Sequence, residues 1–303
     1  MMEITPLQKK LTELLPNIEL RYNEPMSKHT SFQIGGPVEI MAFPKNTSEL
    51  SQILKQSTLM DSKIAILGAG TNILAPDAGI SGLVICLKDS LDGMEQLDNN
   101  RIRVFAGVTM SRAAIFAAKL CLGGMEFAHG IPGTVGGGVY MNAGAYGGEI
   151  KDICQSVDVM DMKGEIHTLS CDEMNFSYRH SRLESEGGIV VSVVFQLISR
   201  PEAEIREQMQ ELMKRRKASQ PLDFPSAGSA FKRPVGGFAA ALIDQAGLKG
   251  FQIGGAAVSE KHAGFVINKG GATSKDVMYL LDQVAAVVKE KSGIQLEPEV
   301  RIW

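Results

Sequence analysis

Apolar positions along this chain recur with two periods, and the alternation between them predicts a mixed architecture. Leu7, Leu11, Leu14 and Leu15 share one face at helical spacing, and Ile40 and Ala42 form a short strand closed by Pro44. Thr47-Ser48-Glu49-Leu50 has the form of a capping start to a helix. Short apolar, β-branched runs follow at 63–67, 82–87 and 101–106, then a helical pattern from Ser111 to Leu122. Further strands are predicted at 157–162, 166–169 and 189–197. From Pro201 the period becomes helical again, with Ile205, Met209, Leu212 and Met213 on one face up to Gln220-Pro221. A second long helix starts near Thr273 and carries Val277, Leu280, Leu281, Val284, Val287 and Val288. The two halves are expected to join at Ser199-Arg200-Pro201, leaving a C-terminal unit of about 100 residues.

Composition narrows the class. The 303 residues exceed one usual domain, so two or three packed units are expected. Hydrophobic residues at 44% and charged residues at 21% are ordinary globular usage, which excludes tails and fibres. A net charge of −3 supplies no field for a phosphodiester backbone, so no nucleic-acid partner is expected and any anion must meet local basic groups. Cys86, Cys121, Cys154 and Cys171 lack close pairing and read as reduced, mostly buried thiols. Glu3, Lys9, Lys10 and Glu13 interrupt any leader-like apolar run, and the apolar stretch 188–198 is far shorter than the roughly 20 residues a bilayer needs. The expected setting is the cytoplasm, with no membrane and no obligate protein partner.

The 32 glycines are clustered, and the clusters carry the candidate chemistry. Leu67 runs into Gly68-Ala69-Gly70-Thr71-Asn72, a loop whose bare amides suit a diphosphate, although it matches neither common phosphate loop and a plain turn has the same composition. The second cluster is denser: Gly130-Ile-Pro-Gly133-Thr134-Val-Gly136-Gly137-Gly138, then Met141-Asn142-Ala-Gly144-Ala-Tyr-Gly147-Gly148. Each glycine costs about 0.5–1 kcal/mol against alanine in regular structure, so packing economy does not explain the run, and a large ligand lying against backbone does. Two cradles suggest a dinucleotide, and FAD fits them better than a mononucleotide.

Together with Tyr178-Arg179-His180-Ser181, Gln220-Pro221, the segment from Ser226 through Ser229 to Pro234, and Glu297-Pro298-Glu299-Val300-Arg301, these motifs closely resemble the UDP-N-acetylenolpyruvoylglucosamine reductases, from about Lys28 to the C-terminus. The resemblance implies an α+β fold: a two-lobed FAD-binding unit of the vanillyl-alcohol-oxidase/p-cresol-methylhydroxylase type plus a C-terminal α+β substrate-binding domain. Residues 1–80, joined by 298–303, would form the first lobe, 81–199 the second, and 200–297 the substrate domain. It further implies noncovalent FAD, NADPH as hydride donor, and small-molecule substrates, the UDP-sugar enolpyruvate among them.

Residue by residue, the resemblance assigns catalysis to Arg179, Ser229 and Glu299. Arg179 would hold a carboxylate gaining charge, Ser229 would donate the proton, and Glu299 would polarise the intermediate or relay the proton. FAD would lie on Gly68, Ala69, Gly70, Thr71, Asn72, Gly133, Thr134, Gly136, Gly137, Asn142 and Gly144. Tyr178, Arg216, Lys232 and Arg233 are the candidate substrate contacts, although charge near the end of a helix is also favoured by its dipole. Without the motif, a serine between glycine and alanine reads as an ordinary turn residue. His29, His129, His167, His180 and His262 lack close metal-ligand spacing, so no metal is expected. The chain between Arg179 and Ser229 is short and lacks an inserted substrate-capping tyrosine segment, as in the type II form of the family.

Overall fold

In the computed structural model, residues 4–59 and 62–303 are described; Met1–Glu3, the start of the stretch weighed above as a leader, lie outside them. Contacts divide the chain into two compact units. The first comprises residues 1–22, 39–69 and 81–214, the second 23–38, 70–80 and 215–303. Segments 23–38 and 70–80 thus pack with the C-terminal residues although both precede them by more than a hundred positions. The join expected at Ser199-Arg200-Pro201 is not where the units divide. Helix Glu202–Ser219 is continuous there, and the division falls inside it, between Lys214 and Arg215.

In the first unit, helix α1 (Pro6–Leu14) begins at a capping box in which Thr5 and Gln8 satisfy each other's amides. Helix α2 (Thr47–Leu59) starts one residue earlier than its sequence suggests, because the cap is Asn46: its Oδ1 accepts from Glu49 N at 2.9 Å, and its carbonyl accepts from Leu50 N. Both helices cover a sheet in the order 19–25, 37–43, 80–86, 64–67. Strands 64–67 and 80–86 run parallel, and Leu11, Ile40, Leu50, Ile53, Leu83 and Ile85 fill the space between sheet and helices.

A second sheet of the same unit, ordered 166–170, 154–160, 189–196, 101–105, 94–97, is antiparallel throughout. Strand 189–196 is buried at every position but its last, in keeping with its Ile, Val and Phe side chains on both faces. Helix α3 (Met110–Lys119) packs near it through small residues, Ala113, Ala114, Ala117 and Ala118, so that the glycine-rich helix α4 (Val135–Tyr140) can also come close. The helix predicted to reach Leu122 stops at Lys119. Cys121 turns the chain with φ +56°, and Leu122–Gly123 pair as a strand with Ile198–Ser199. A short helix, α5 (Leu183–Glu186), precedes strand 189–196, and α6 (Glu202–Ser219) buries Ile205 and Met209.

The second unit holds an antiparallel sheet ordered 226–229, 265–268, 256–258, 252–253. Helices α7 (Ala239–Gln245) and α8 (Ser274–Ser292) close its core through Ile243, Val277, Leu280, Leu281, Val284 and Val288. The predicted start of α8 stands: Thr273 and Asp276 form its capping box, and Gly293 in the left-handed region ends it. Strand 301–302 runs parallel to 73–74, and Phe32, Ile34 and Leu74 join the same core.

Candidate functional site

The first unit sets Gly68, the head of the first glycine motif, against the second motif. Strand 64–67 delivers Gly68, where a Cβ would lie 2.5 Å from Thr134 Oγ1. Thr134 caps α4, its hydroxyl accepting from Gly137 N. Residues 106–110 brace the turn from below: Val135 N donates to Val108 O, Gly136 N to Ala106 O, and Met110 N to Gly133 O. Their role was not read from sequence, where only the pair Ala106-Gly107 after a strand marks them.

The run of glycines has two causes rather than one. On one side of α4 the demand is packing: a Cβ at Gly136 would meet Ala106 Cβ at 2.8 Å, and one at Gly138 would meet Met110 Sδ at 2.9 Å. The expectation that packing does not explain these glycines is therefore corrected at both positions. Gly137 differs, being exposed, and a Cβ there would meet only Thr134 Oγ1 at 3.5 Å. Half-buried Gly68 and exposed Gly137 consequently leave main chain uncovered, with the buried Thr134 hydroxyl fixing Gly137 N beneath it, and these residues fit FAD.

Beyond α4 the chain reverses at Asn142, which is fully buried with φ +43°. Its carboxamide is engaged by protein on three sides: Nδ2 donates to Glu149 Oε2 at 2.8 Å and to Ser177 O at 3.0 Å, and Oδ1 accepts from Lys151 N at 3.0 Å. Both amide hydrogens are thus spent inside the protein, which the motif alone did not reveal. Gly144 pairs with Glu149 in a short hairpin, and its carbonyl lies 3.5 Å from Arg179 Nη2.

Tyr178 and Arg179 form the tip of a tight turn in which Ser177 and His180 exchange both backbone hydrogen bonds. Arg179 has φ +55°, a left-handed conformation that costs a residue with a Cβ about 1–2 kcal/mol. Its guanidinium stands 5.1 Å from the Tyr178 ring centre, and Tyr178 is exposed.

In the second unit, Ser229 ends strand 226–229, exposed, and Glu299 lies alongside. Glu299 N donates to Ala230 O at 2.9 Å, Lys232 N to Glu297 O, and Phe231 bridges Pro298. Asn72 joins the same group: its Nδ2 donates to Glu299 O at 3.2 Å and its carbonyl accepts from Arg301 N. Gly70 sits there too, its carbonyl accepting from Ser31 N, with Thr71 half-buried between them. Of the basic candidates, Lys232 pairs loosely with Glu297 at 3.4 Å, and Arg233 stacks 4.1 Å over the Phe238 ring. Arg216 is half-buried in the last turn of α6.

The remaining reactive side chains are taken up by the framework. His129 shares a hydrogen bond with Ser111 Oγ, and burial lowers its pKa. Asp161, Glu165 and His167 bring ligand atoms within 4.8 Å of one another on a surface hairpin. Asp161 already accepts from the Glu165 and Lys163 amides that close the turn, and these bonds hold its carboxyl below the usual range. All four cysteines are free; Cys86 and Cys154 are buried, Cys171 is half-buried and Cys121 exposed, so burial applies to two rather than most.

Residues 38–170 match the model of an FAD binding domain, and residues 220–303 match that of the UDP-N-acetylenolpyruvoylglucosamine reductase C-terminal domain. The reductase of Caldanaerobacter subterraneus is 47% identical over 98% of this chain and 97% of its own length. That of Agathobacter rectalis is 45% identical over 97% of each. The crystal structure of the reductase from Thermus caldophilus superposes with a TM-score of 0.78 at 34% identity, covering 95% of this chain and 99% of that one. The α+β flavoprotein fold expected from sequence stands, and no helix among the described residues is long and apolar enough to cross a membrane. With full-length identity of this order and both domain matches in place, the chain belongs to the UDP-N-acetylenolpyruvoylglucosamine reductase family and is an FAD-dependent oxidoreductase.

Proposed function

We propose that the chain reduces UDP-N-acetylglucosamine enolpyruvate to UDP-N-acetylmuramate in the cytoplasm, with NADPH as the electron source and Ser229 as the proton donor. Bound FAD would accept hydride from NADPH and release it to C3 of the enolpyruvyl group. Gly68, Ala69 and Gly137 would hold it through main chain, with Thr134 fixing Gly137 N from beneath and Gly70, Thr71, Asn72, Gly133, Gly136 and Gly144 completing the loops. Asn142 lies outside that set: it is fully buried, its backbone N donates to Val139 O, and both side-chain amide hydrogens are spent within the protein.

Hydride arrival at C3 drives an electron pair through C2 into the substrate carboxylate. Arg179 answers that charge: its planar fork offers two parallel donors, which a lysine lacks. Ser229 Oγ then gives its proton to C2. A hydroxyl is too weak an acid for most acceptors and suffices here because the acceptor is a carbanion. Glu299 orients or replenishes that proton. Tyr178, Arg216, Lys232 and Arg233 are assigned to the sugar nucleotide, in a chain that lacks a capping tyrosine insertion.

The observation that carries this reading is the pairing of the Ser229 turn with Glu299 across the Glu299 N to Ala230 O bond, which keeps a hydroxyl and a carboxylate on neighbouring segments of one unit. Stopped-flow absorbance tests it. In Ser229→Ala, bleaching of the flavin by NADPH should proceed as in the parent, while reoxidation by the enolpyruvyl substrate slows by about 10²–10⁴-fold. An unchanged second phase would remove Ser229 as the acid.

A further inference from the structure

Arg179 carries unfavourable backbone torsion on an exposed turn, so something nearby must hold it there. Two fastenings are visible, one on each side of the turn. Asn142 Nδ2 donates to Ser177 O at 3.0 Å, two residues before Arg179, and Ser181 Oγ donates to Tyr140 O at 2.7 Å, two residues after it. Both reach the same short segment at the end of α4, and both Asn142 and Ser181 are fully buried. Asn142 is itself locked by Glu149 Oε2 and Lys151 N, so it offers a fixed point rather than a mobile donor.

We propose that Asn142, with Ser181 as its counterpart, is a positioning residue for Arg179: the two side chains pin the Tyr178–Arg179 turn to the end of the glycine helix and set where the guanidinium stands. This rests on the assignment of Arg179 to the substrate carboxylate. The geometry of a bidentate pair tolerates little displacement, so a loosened turn costs binding energy at the carboxylate while leaving flavin chemistry with NADPH untouched. Asparagine suits position 142 for two reasons that act together. It tolerates φ +43°, and its carboxamide supplies two donors and an acceptor in one plane.

A double-mutant cycle tests this with Asn142→Gly, which keeps the backbone conformation accessible, and Arg179→Ala. The readouts are calorimetric binding of the product UDP-N-acetylmuramate and single-turnover reoxidation by substrate. Asn142→Gly should retain FAD and its reduction by NADPH, weaken product binding and slow reoxidation by about 10-fold, and speed amide exchange at Ser177 and His180. In the Arg179→Ala background the same change should have no further effect on binding or reoxidation. Additive losses in the double variant, or loss of FAD from Asn142→Gly, overturn the proposal. Should Asn142→Gly fail to fold, Ser181→Ala enters the same cycle and must behave the same way. If Arg179→Ala alone leaves binding and reoxidation unchanged, the assigned role of Arg179 falls, and the positioning role with it.

Discussion

Arg200 reaches Glu126 at 3.1 Å, and the Glu126 side chain is only 6% exposed. The second carboxylate oxygen accepts from Gly124 N at 2.7 Å, so this acid ties strand 122–123 to the start of α6. A buried carboxylate that loses its cation keeps its desolvation cost without the compensating attraction. Arg200→Ala should therefore destabilise the first unit by about 2–4 kcal/mol, with one backbone donor still in place. Changing Glu126 to Gln as well should return part of that loss. Urea midpoints of the two variants decide it, and an Arg200→Ala protein as stable as the parent would mean that water reaches the carboxylate.

Gly68 and Thr134 are in contact at the limit of close approach, which makes position 68 intolerant of a methyl group. The Cβ of Gly68→Ala would sit 2.5 Å from Thr134 Oγ1, and Thr134 cannot retreat without giving up its cap on Gly137 N. Overpacking of this kind costs about 1–3 kcal/mol. Purified Gly68→Ala should show a lower ratio of flavin to protein absorbance than the parent. Adding Thr134→Ser, which keeps the hydroxyl and removes a methyl, should not restore it, because the colliding atom is the oxygen.

What the sequence disclosed and what it hid separate along physical lines. Local signals were legible: Thr273 with Asp276 for α8, the β-branched run at 189–196, and the glycine motifs that carry the family resemblance. Competition between adjacent polar residues was not, so Asn46 rather than Thr47 caps α2. Strand 226–229 is Ser-Ala-Gly-Ser, with no apolar alternation to betray it, and it exists because Phe265–Asn268 pairs with it. The site was legible as motifs and illegible as contacts. That Asn72 would bond Glu299, or Asn142 the carbonyl before Tyr178, depends on chain segments 227 and 35 residues apart. Glycine was ambiguous for a related reason, since the same letter serves packing at Gly136 and an open face at Gly137.

Asp77 links an early segment to the last long helix of the second unit. Its carboxylate accepts from Ser274 N and Ser274 Oγ, both at 2.8 Å, and from Lys275 N at 3.3 Å. These are first-turn donors that α8 cannot satisfy internally, and a negative charge there is favoured by the helix dipole. Asp77→Ala should cost about 1–2 kcal/mol, and Asp77→Asn less, since it retains an acceptor. Thermal melts of the two variants would show the order. Equal losses would mean that charge, not hydrogen bonding, dominates this cap.

His262 gives the second unit a pH dependence of defined sign. Its ring is half-buried against Phe265, edge to face at 5.0 Å, and Nδ1 accepts from Gly264 N at 3.2 Å, a bond that only the neutral tautomer with its proton on Nε2 allows. Burial pushes its pKa below the ordinary 6.5, with the positive charge of Lys249 acting in the same direction. The folded protein therefore binds fewer protons than the unfolded chain below pH 6.5, and stability falls as the solution is acidified. Above pH 6.5 the ring is neutral in both states and the contribution is complete. It declines from about pH 6.5 down to the folded pKa, with a slope that cannot exceed about 1.4 kcal/mol per pH unit for one proton. The substitution His262→Asn keeps an acceptor near Gly264 N and removes the titration. The urea midpoint of this variant should accordingly fall less between pH 7.5 and 5.5 than that of the parent. His129, whose pKa burial also lowers, contributes in the same window and is unchanged in both proteins, so the difference between them isolates position 262. Parallel curves would show that the ring takes up its proton as readily in the folded state as in the unfolded chain, so that neither burial nor the bond from Gly264 N opposes it.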